Sequence, residues 1–396
     1  MENENFIRVG TTLYKIVNQP RINGGFVKKR IVWNNETLRQ DYGKDFLATV
    51  PKYDGFCTVP NHVNYQPVVD KFLNLYEPIE YQPKEGEFPH VESLIRHIFG
   101  EQYELGMDYL QLLYLQPVQK LPILLMVSEE RNTGKSTFLN FLKAVFQNNV
   151  TFNTNEDFRS QFNADWAGKL LIVVDEVLLN RREDSERLKN LSTTLSYKVE
   201  AKGKDRDEIS FFAKFVLCSN NELLPVIIDV GETRYWVRKI ERLKSDDTDF
   251  LQKLKAEIPA FLYFLQHRAL STQKESRMWF APKLIFTPAL QRIIRNNRNK
   301  LELEMSELCL DIMETNNVEE VSFCINDMMP LLSNTQCKYD KGQIRRIVQD
   351  IWKLTPVSNT LTYTTYQLSY NAPQYYSPIR RTGRFYTITK KQLKSL

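Results

Sequence analysis

Three short runs, each followed by polar residues, organise the middle of this chain: the apolar ILLMV (Ile123–Val127) and LLIVV (Leu170–Val174), and KFVLC (Lys214–Cys218), apolar after its opening lysine. None alternates apolar with polar positions, which predicts strands covered on both faces, as in a parallel sheet. A polar loop follows the first run. Beyond it Phe138, Leu139, Phe141, Leu142, Val145 and Phe146 recur at the spacing of one helix face. Val91–Phe99 and Gln102–Leu115 also read as helices, as does Ser185–Leu195. Asp249–Arg268 has a helix pattern interrupted by Pro259, and Thr287–Arg298 has Thr287 placed as a cap with Pro288 at the first position. Near the start, TLYKIV and FVKKRIVW flank NQPRINGG as a hairpin. Pro51, Pro60, Pro67, Pro78, Pro83 and Pro89 then argue against long helices. Aromatic side chains in that stretch, Tyr53, Phe56, Tyr65, Phe72, Tyr76 and Tyr81, read as packing rather than as a stacking platform.

These patterns divide the chain into five parts: a β-rich adaptor region (1–88), a helical lead-in (89–120), an α/β core (121–245), a helical extension (246–300) and a small α+β unit (301–396). In the last part Leu301–Glu314, Ile325–Leu332 and Lys341–Lys353 read as helices. TYTTYQLSYN and GRFYTITKK read as strands joined by the loop APQYYSPIRRT. That order outlines a winged helix, with Arg345 and Arg346 on the recognition helix and Tyr375, Tyr376, Arg380 and Arg381 in the wing.

The loop after the first strand carries the candidate chemistry. It reads SEERNTGKST and ends in Gly134-Lys135-Ser136-Thr137. Strand, loop and helix in that order are the context of a P-loop, where backbone N–H groups and a helix N-terminus cradle phosphates. Asn132, Thr133, Gly134, Lys135, Ser136 and Thr137 are the candidate ATP-binding residues, with Lys135 on the β- and γ-phosphates and Ser136 on Mg²⁺. The full pattern wants a glycine where Glu129 stands. The plainer reading of the segment is a polar turn. The second run ends in Asp175-Glu176, a pair of carboxylates that suits Mg²⁺–ATP: Asp175 for the metal, Glu176 for the attacking water. The third run leads into Asn220, an amide able to hold that water. ETRYWVRKI supplies Arg234 and Arg238 as candidates to neutralise charge on a transferred phosphoryl group. Singly, each has a bland alternative as a turn former or a surface ion pair.

Composition narrows the classes. Of 396 residues, 42% are hydrophobic and 26% charged, enough for full cores and a solvated surface. Cys57, Cys218, Cys309, Cys324 and Cys337 form no CxxC pair, which argues against a zinc site or a disulfide framework and for a reducing, cytoplasmic setting. No stretch is apolar for long enough to predict a membrane span. The net charge of +5 is unevenly placed. From Lys338 to Leu396 eleven basic residues face only Asp340 and Asp350, so the rest of the chain is net negative. A basic face at one end points to nucleic acid.

Taken in order, SEERNTGKST, LLIVVDEVLL, YKVEAKGK, FVLCSNN and ETRYWVRKI resemble superfamily 3 helicases, and more closely the ATPase part of phage and plasmid primase-helicases, including the helicase part of phage primase-polymerases. The segment FGEQYELGMDYLQLLYLQPVQKLP resembles their helical lead-in. The resemblance implies an AAA+-like P-loop core and a homo-oligomeric hexameric ring that hydrolyses ATP at its subunit interfaces. It also implies single-stranded or forked DNA as partner, with Arg234 acting in trans, Asn220 as sensor, and Lys202 and Lys204 on a hairpin facing the strand. A hydrophobic-Asp-x-Asp metal pair is missing from the sequence, so any primase or polymerase would be a separate chain. An initiator or helicase-loader ATPase, or a DNA-binding replisome adaptor with a vestigial nucleotide site, remain alternatives.

Overall fold

In the computed structural model the described residues are 5–20, 26–158, 166–179, 181–199, 207–229, 231–243, 247–297, 300–332, 340–369 and 375–395. The chain forms two compact units, Met1–Ile227 with Glu232–Ile293, and Ile228–Gly231 with Ile294–Leu396.

The first unit is built on five parallel strands: β1 (Ile123–Val127), β2 (Val150–Asn153), β3 (Leu171–Val174), β4 (Lys214–Ser219) and β5 (Tyr235–Lys239). Their order across the sheet is β5-β1-β4-β3-β2. Every residue of β1, β3 and β4 is buried, which accounts for the apolar runs of β1 and β3 and of β4 between Lys214 and Ser219. Helices α1 (Pro89–Phe99), α2 (Tyr103–Leu115), α3 (Lys135–Phe146), α4 (Arg182–Thr193), α5 (Phe250–His267) and α6 (Pro288–Asn296) accompany the sheet. Side chains of α1, α2, α3 and α5 share one core with β1 and β4, in which Phe99, Phe138, Phe141 and Trp236 are buried.

Pro259 does not interrupt α5, contrary to its expected effect on the helix. An interior proline removes one hydrogen bond and costs about 3 kcal/mol, but Leu254, Ile258, Phe261, Leu262 and Leu265 are buried on either side of it. That burial outweighs the local loss. At α6 Thr287 caps as expected, its Oγ1 accepting from Leu290 N–H at 3.2 Å.

The N-terminal region pairs Thr12–Pro20 with Phe26–Val32 as an antiparallel hairpin. These strands extend a sheet that also holds Phe6–Val9 and Lys52–Tyr53. Phe6, Leu13, Leu38 and Val50 close a small core beneath it. His62 then ties this region to α2. Its Nδ1–H donates to the Tyr114 carbonyl at 2.7 Å, and its Nε2 accepts from the Tyr76 hydroxyl at 2.5 Å.

In the second unit the order is α7 (Lys300–Asn316), β6 (Glu320–Phe323), α8 (Ile325–Leu332), α9 (Lys341–Arg346), β7 (Leu361–Leu368), β8 (Tyr376–Gly383) and β9 (Tyr386–Thr389). Most of the predicted loop APQYYSPIRRT is strand: β8 pairs antiparallel with β7, and β9 turns away to pair with β6. Pro378 is tolerated because this ribbon has only two strands, so one side of β8 needs no ladder bond. Asp340 and Gln343 form a capping box at the start of α9, which continues as a π turn through Ile351. Ile344, Ile347 and Val348 are buried, while Arg345 and Arg346 are exposed.

Candidate functional site

The ends of β1, β4 and β3 lie side by side, and the chain leaves each into a polar segment. Because β4 sits between the other two, with Ser219 opposite Val127 and Leu217 opposite Val174, Asn220 emerges between the Gly134 turn and Asp175-Glu176. Three segments distant in sequence thus meet at one edge of the sheet.

The loop backbone is shaped for an anion. Asn132 and Gly134 have φ of 55° and 79°, left-handed values that turn neighbouring N–H groups to one side. Gly134 is the N-cap of α3 and supplies no side chain to its orphan N–H groups. Glu129 is not among the described residues with positive φ, so nothing in the backbone demands glycine there. Its side chain is exposed. Its N–H donates to the Glu222 carboxylate at 3.2 Å, and Glu222 is itself buried against Lys239 at 3.2 Å and Arg292 at 3.4 Å. A buried carboxylate, not a glycine turn, anchors the start of the loop.

The side chains form two neighbouring hydrogen-bonded groups, one around Lys135 and one pairing Ser136 with Asp175. Lys135 Nζ donates to Ser128 Oγ, to Thr133 Oγ1 at 2.9 Å and to Asn220 Oδ1 at 3.1 Å. These partners are neutral oxygens, and among the described residues the ammonium has no direct ion pair. Burial pulls its pKa below the usual lysine value, while the fields of Asp175, Glu222 and Glu176 act in the opposite direction. Ser136 Oγ donates to Asp175 Oδ2 at 2.7 Å, and Asn220 Nδ2 donates to Glu176 Oε1 at 3.3 Å. Asp175 and Glu176 are both exposed, which spares these paired carboxylates the cost of burial. Glu176 has φ of 62°, an uncommon value for a non-glycine residue.

The other predicted residues fall elsewhere. Asn132 is exposed and Thr137 half-buried at the start of α3. Arg234 stands just before β5, at the end of the sheet away from Lys135, and pairs with Glu232 at 2.8 Å. Arg238 is turned inward, with Nη1 on Gln102 at 2.7 Å. Lys202 and Lys204 lie outside the described residues, although Ser196–Val199 and Asp207–Ser210 on either side pair as an antiparallel hairpin. In the second unit Arg380 is exposed, whereas Arg381 donates to buried Asp327 at 2.6 Å. Asp327 also takes the Tyr363 hydroxyl at 2.6 Å, so Arg381 fixes the β7–β8 ribbon onto α8.

Sequence reasoning missed Ser128 and Glu222. Ser128 was legible as a hydroxyl one residue past the first strand. Glu222 had no such signal, because its partners are 93, 17 and 70 residues away. Among the described residues no group of three or more His, Cys, Asp or Glu gathers. A hard-oxygen pair such as Ser136 and Asp175 fits Mg²⁺ that takes its remaining ligands from phosphates and water.

The fold is mixed α/β around a five-stranded parallel sheet. Residues 126–238 match the model of a family described as "Family of unknown function (DUF5906)". No curated protein matches the chain. Among solved structures it is similar to the apo structure of the NrS-1 C-terminal region (305–718), with a TM-score of 0.65 and 16% identity over 96% of this chain and 95% of that one. It is also similar to the A-form apo structure of that region, with a TM-score of 0.57 and 18% identity over 89% and 84% of the two chains.

Proposed function

We propose that this chain is an ATP-driven DNA helicase or translocase of the phage primase-helicase type. One observation carries the reading: segments from three strand ends meet at one site, where Asn220 links Lys135 to Glu176 and Ser136 bonds to Asp175. The neutral oxygens around Lys135 Nζ are partners that β- and γ-phosphate oxygens can replace. Ser136 and Asp175 would hold Mg²⁺, which when bound would supply charge neutralisation on the phosphates. Glu176 takes the proton of the attacking water, and Asn220 bridges it to Lys135, so one amide senses both base and phosphate. Glu129 is no obstacle, since Glu222 holds the loop in its place. That removes the motive for a vestigial-site reading.

Arg234 is roughly 16 Å from the loop along β5, counting about 3.3 Å per residue. It therefore serves only a neighbouring subunit's site, in keeping with a ring. Arg238, committed to Gln102, is the weaker candidate. In the second unit α8, α9 and the β7–β8 ribbon act as a winged helix, with Arg345, Arg346 and Arg380 toward DNA phosphates and Arg381 holding the wing in place.

The test is Lys135→Ala. ATP hydrolysis should fall by at least two orders of magnitude, with duplex binding by the basic C-terminal unit within about twofold of wild type. Undiminished hydrolysis would overturn the phosphate-loop assignment.

A further inference from the structure

The N-terminal hairpin, the segment after it and the far end of α3 enclose a cleft of about 990 Å³ that the nucleotide chemistry does not use. Its volume is at the upper end of small-ligand sites, and its lining is not that of a core. Along the edge strand Phe26–Val32 side chains alternate, so Phe26, Lys28 and Arg30 share one face, and all three line the cleft. Across the ladder Lys28 is level with Asn18 and Arg30 with Ile16, which line it too. Phe26 is 70% exposed, too high for a packing residue. Tyr53, Tyr65 and Tyr81 line other walls and are half-buried, and Lys255 of α5 adds a further cation.

Lys28, Arg30 and Lys255 form no ion pair among the described residues. Two carboxylates share the cleft and keep their charge: Glu77 accepts from Asn148 Nδ2 at 2.5 Å and Glu80 from Gln147 Nε2 at 3.2 Å. Lys143 is likewise committed, donating to the Val150 carbonyl at 2.7 Å. The lining therefore carries four cations against two carboxylates, an excess of positive charge that faces aromatic rings across the cleft. Cations that follow a phosphate backbone beside rings on which bases stack are the working parts of a single-strand groove. A duplex offers no unstacked base to such rings. An acidic peptide would use the cations but has no need of Phe26 or the three tyrosines.

We propose that this cleft binds single-stranded nucleic acid, with Lys28, Arg30 and Lys255 on phosphates and Phe26, Tyr53, Tyr65 and Tyr81 against bases. The assignment goes beyond the ATPase reading and does not depend on it.

The experiment uses the full chain and a fluorescein-labelled twelve-nucleotide oligothymidylate carrying one 5-iododeoxyuridine. Ultraviolet crosslinking and peptide mapping should place adducts on Tyr53, Tyr65 or Tyr81. The exposed-strand double variant Lys28→Glu/Arg30→Glu should weaken anisotropy-measured binding at least tenfold and reduce the slope of log K against log salt by about 1.4. Duplex binding and ATP hydrolysis should stay within twofold of wild type, which reports that the variant is folded. Lys135→Ala should retain the tyrosine adducts, so the failure of one assignment does not disguise the other. Adducts confined to the C-terminal unit, or single-strand affinity unchanged in the double variant, would overturn the cleft assignment. So would preferential binding of a poly-glutamate peptide that competes with the oligonucleotide.

Discussion

The two ends of the parallel sheet each bury a lysine, and they hold it differently. At the end where β1 finishes, Lys135 meets side-chain oxygens of Ser128, Thr133 and Asn220, with exposed carboxylates close by. At the other end, Lys214 opens β4 and donates to the Pro117 carbonyl, and Lys120 nearby donates to the Phe211 carbonyl at 2.6 Å. Burial moves both of these lysines down in pKa, Lys120 to about 8 and Lys214 well below its ordinary value. Side-chain hydroxyls and amides can rotate to make way for an incoming phosphate, whereas carbonyls in the chain path cannot. A buried lysine is therefore no sign of a binding site by itself. The mobility of its acceptors separates the two cases.

The largest effect that tests this contrast is at Glu176. Glu176→Gln keeps the shape and the bond from Asn220 but removes the base, so hydrolysis should fall by about 10²–10⁴-fold, the typical worth of a general base. Equilibrium ATP binding, followed with a fluorescent analogue, should change little. An equal loss of affinity would show that Glu176 organises the pocket rather than the chemistry.

Lys120 gives a smaller effect at the opposite end, read as stability. Its folded pKa of about 8 lies below the ordinary 10.5, so between these values the unfolded chain holds a proton that the folded chain has shed. Stability should accordingly rise as pH increases through that window, by up to about 1.4 kcal/mol per pH unit for this one group, and stay flat in this contribution below pH 8. Urea unfolding midpoints of wild type and Lys120→Met, measured at pH 8 and pH 10, should diverge in slope. Parallel slopes would mean that Lys120 is hydrated. The smallest effect is the sharpest contrast with Lys135: Lys214→Met should leave ATP hydrolysis within about twofold of wild type, because the side chain touches no part of the site. A hundredfold loss there would erase the distinction between the two ends.

Much of this was readable before the fold was known. The apolar runs marked strands β1, β3 and β4, and the polar residues just beyond them are the ones that converge. Periodicity and Thr287-Pro288 marked the helices. Strand order was not readable, because only the register of Ser219 with Val127 and Leu217 with Val174 sets Asn220 between its partners. Pro259 misled because local cost was weighed without the burial on either side of it. The β8 strand was hidden by a proline and two arginines that a two-stranded ribbon tolerates. The N-terminal aromatics were expected to pack, and Tyr76 and Tyr81 do, the latter with one side on the cleft, but Phe72 is 42% exposed and Tyr53 and Tyr65 border open space. Sequence reports the apolar character of a ring, not which neighbours reach it.

Helix α3 begins at Lys135, after the Gly134 turn, and Lys143 and Ala144 near its other end line the N-terminal cleft. Twelve residues at 1.5 Å each make a rod about 18 Å long, gripped along its flank by Phe138, Phe141, Leu142 and Val145. A clenched rod cannot take up slack along its length. The loop at one tip and the cleft at the other are therefore joined by a single packed helix rather than by a tether.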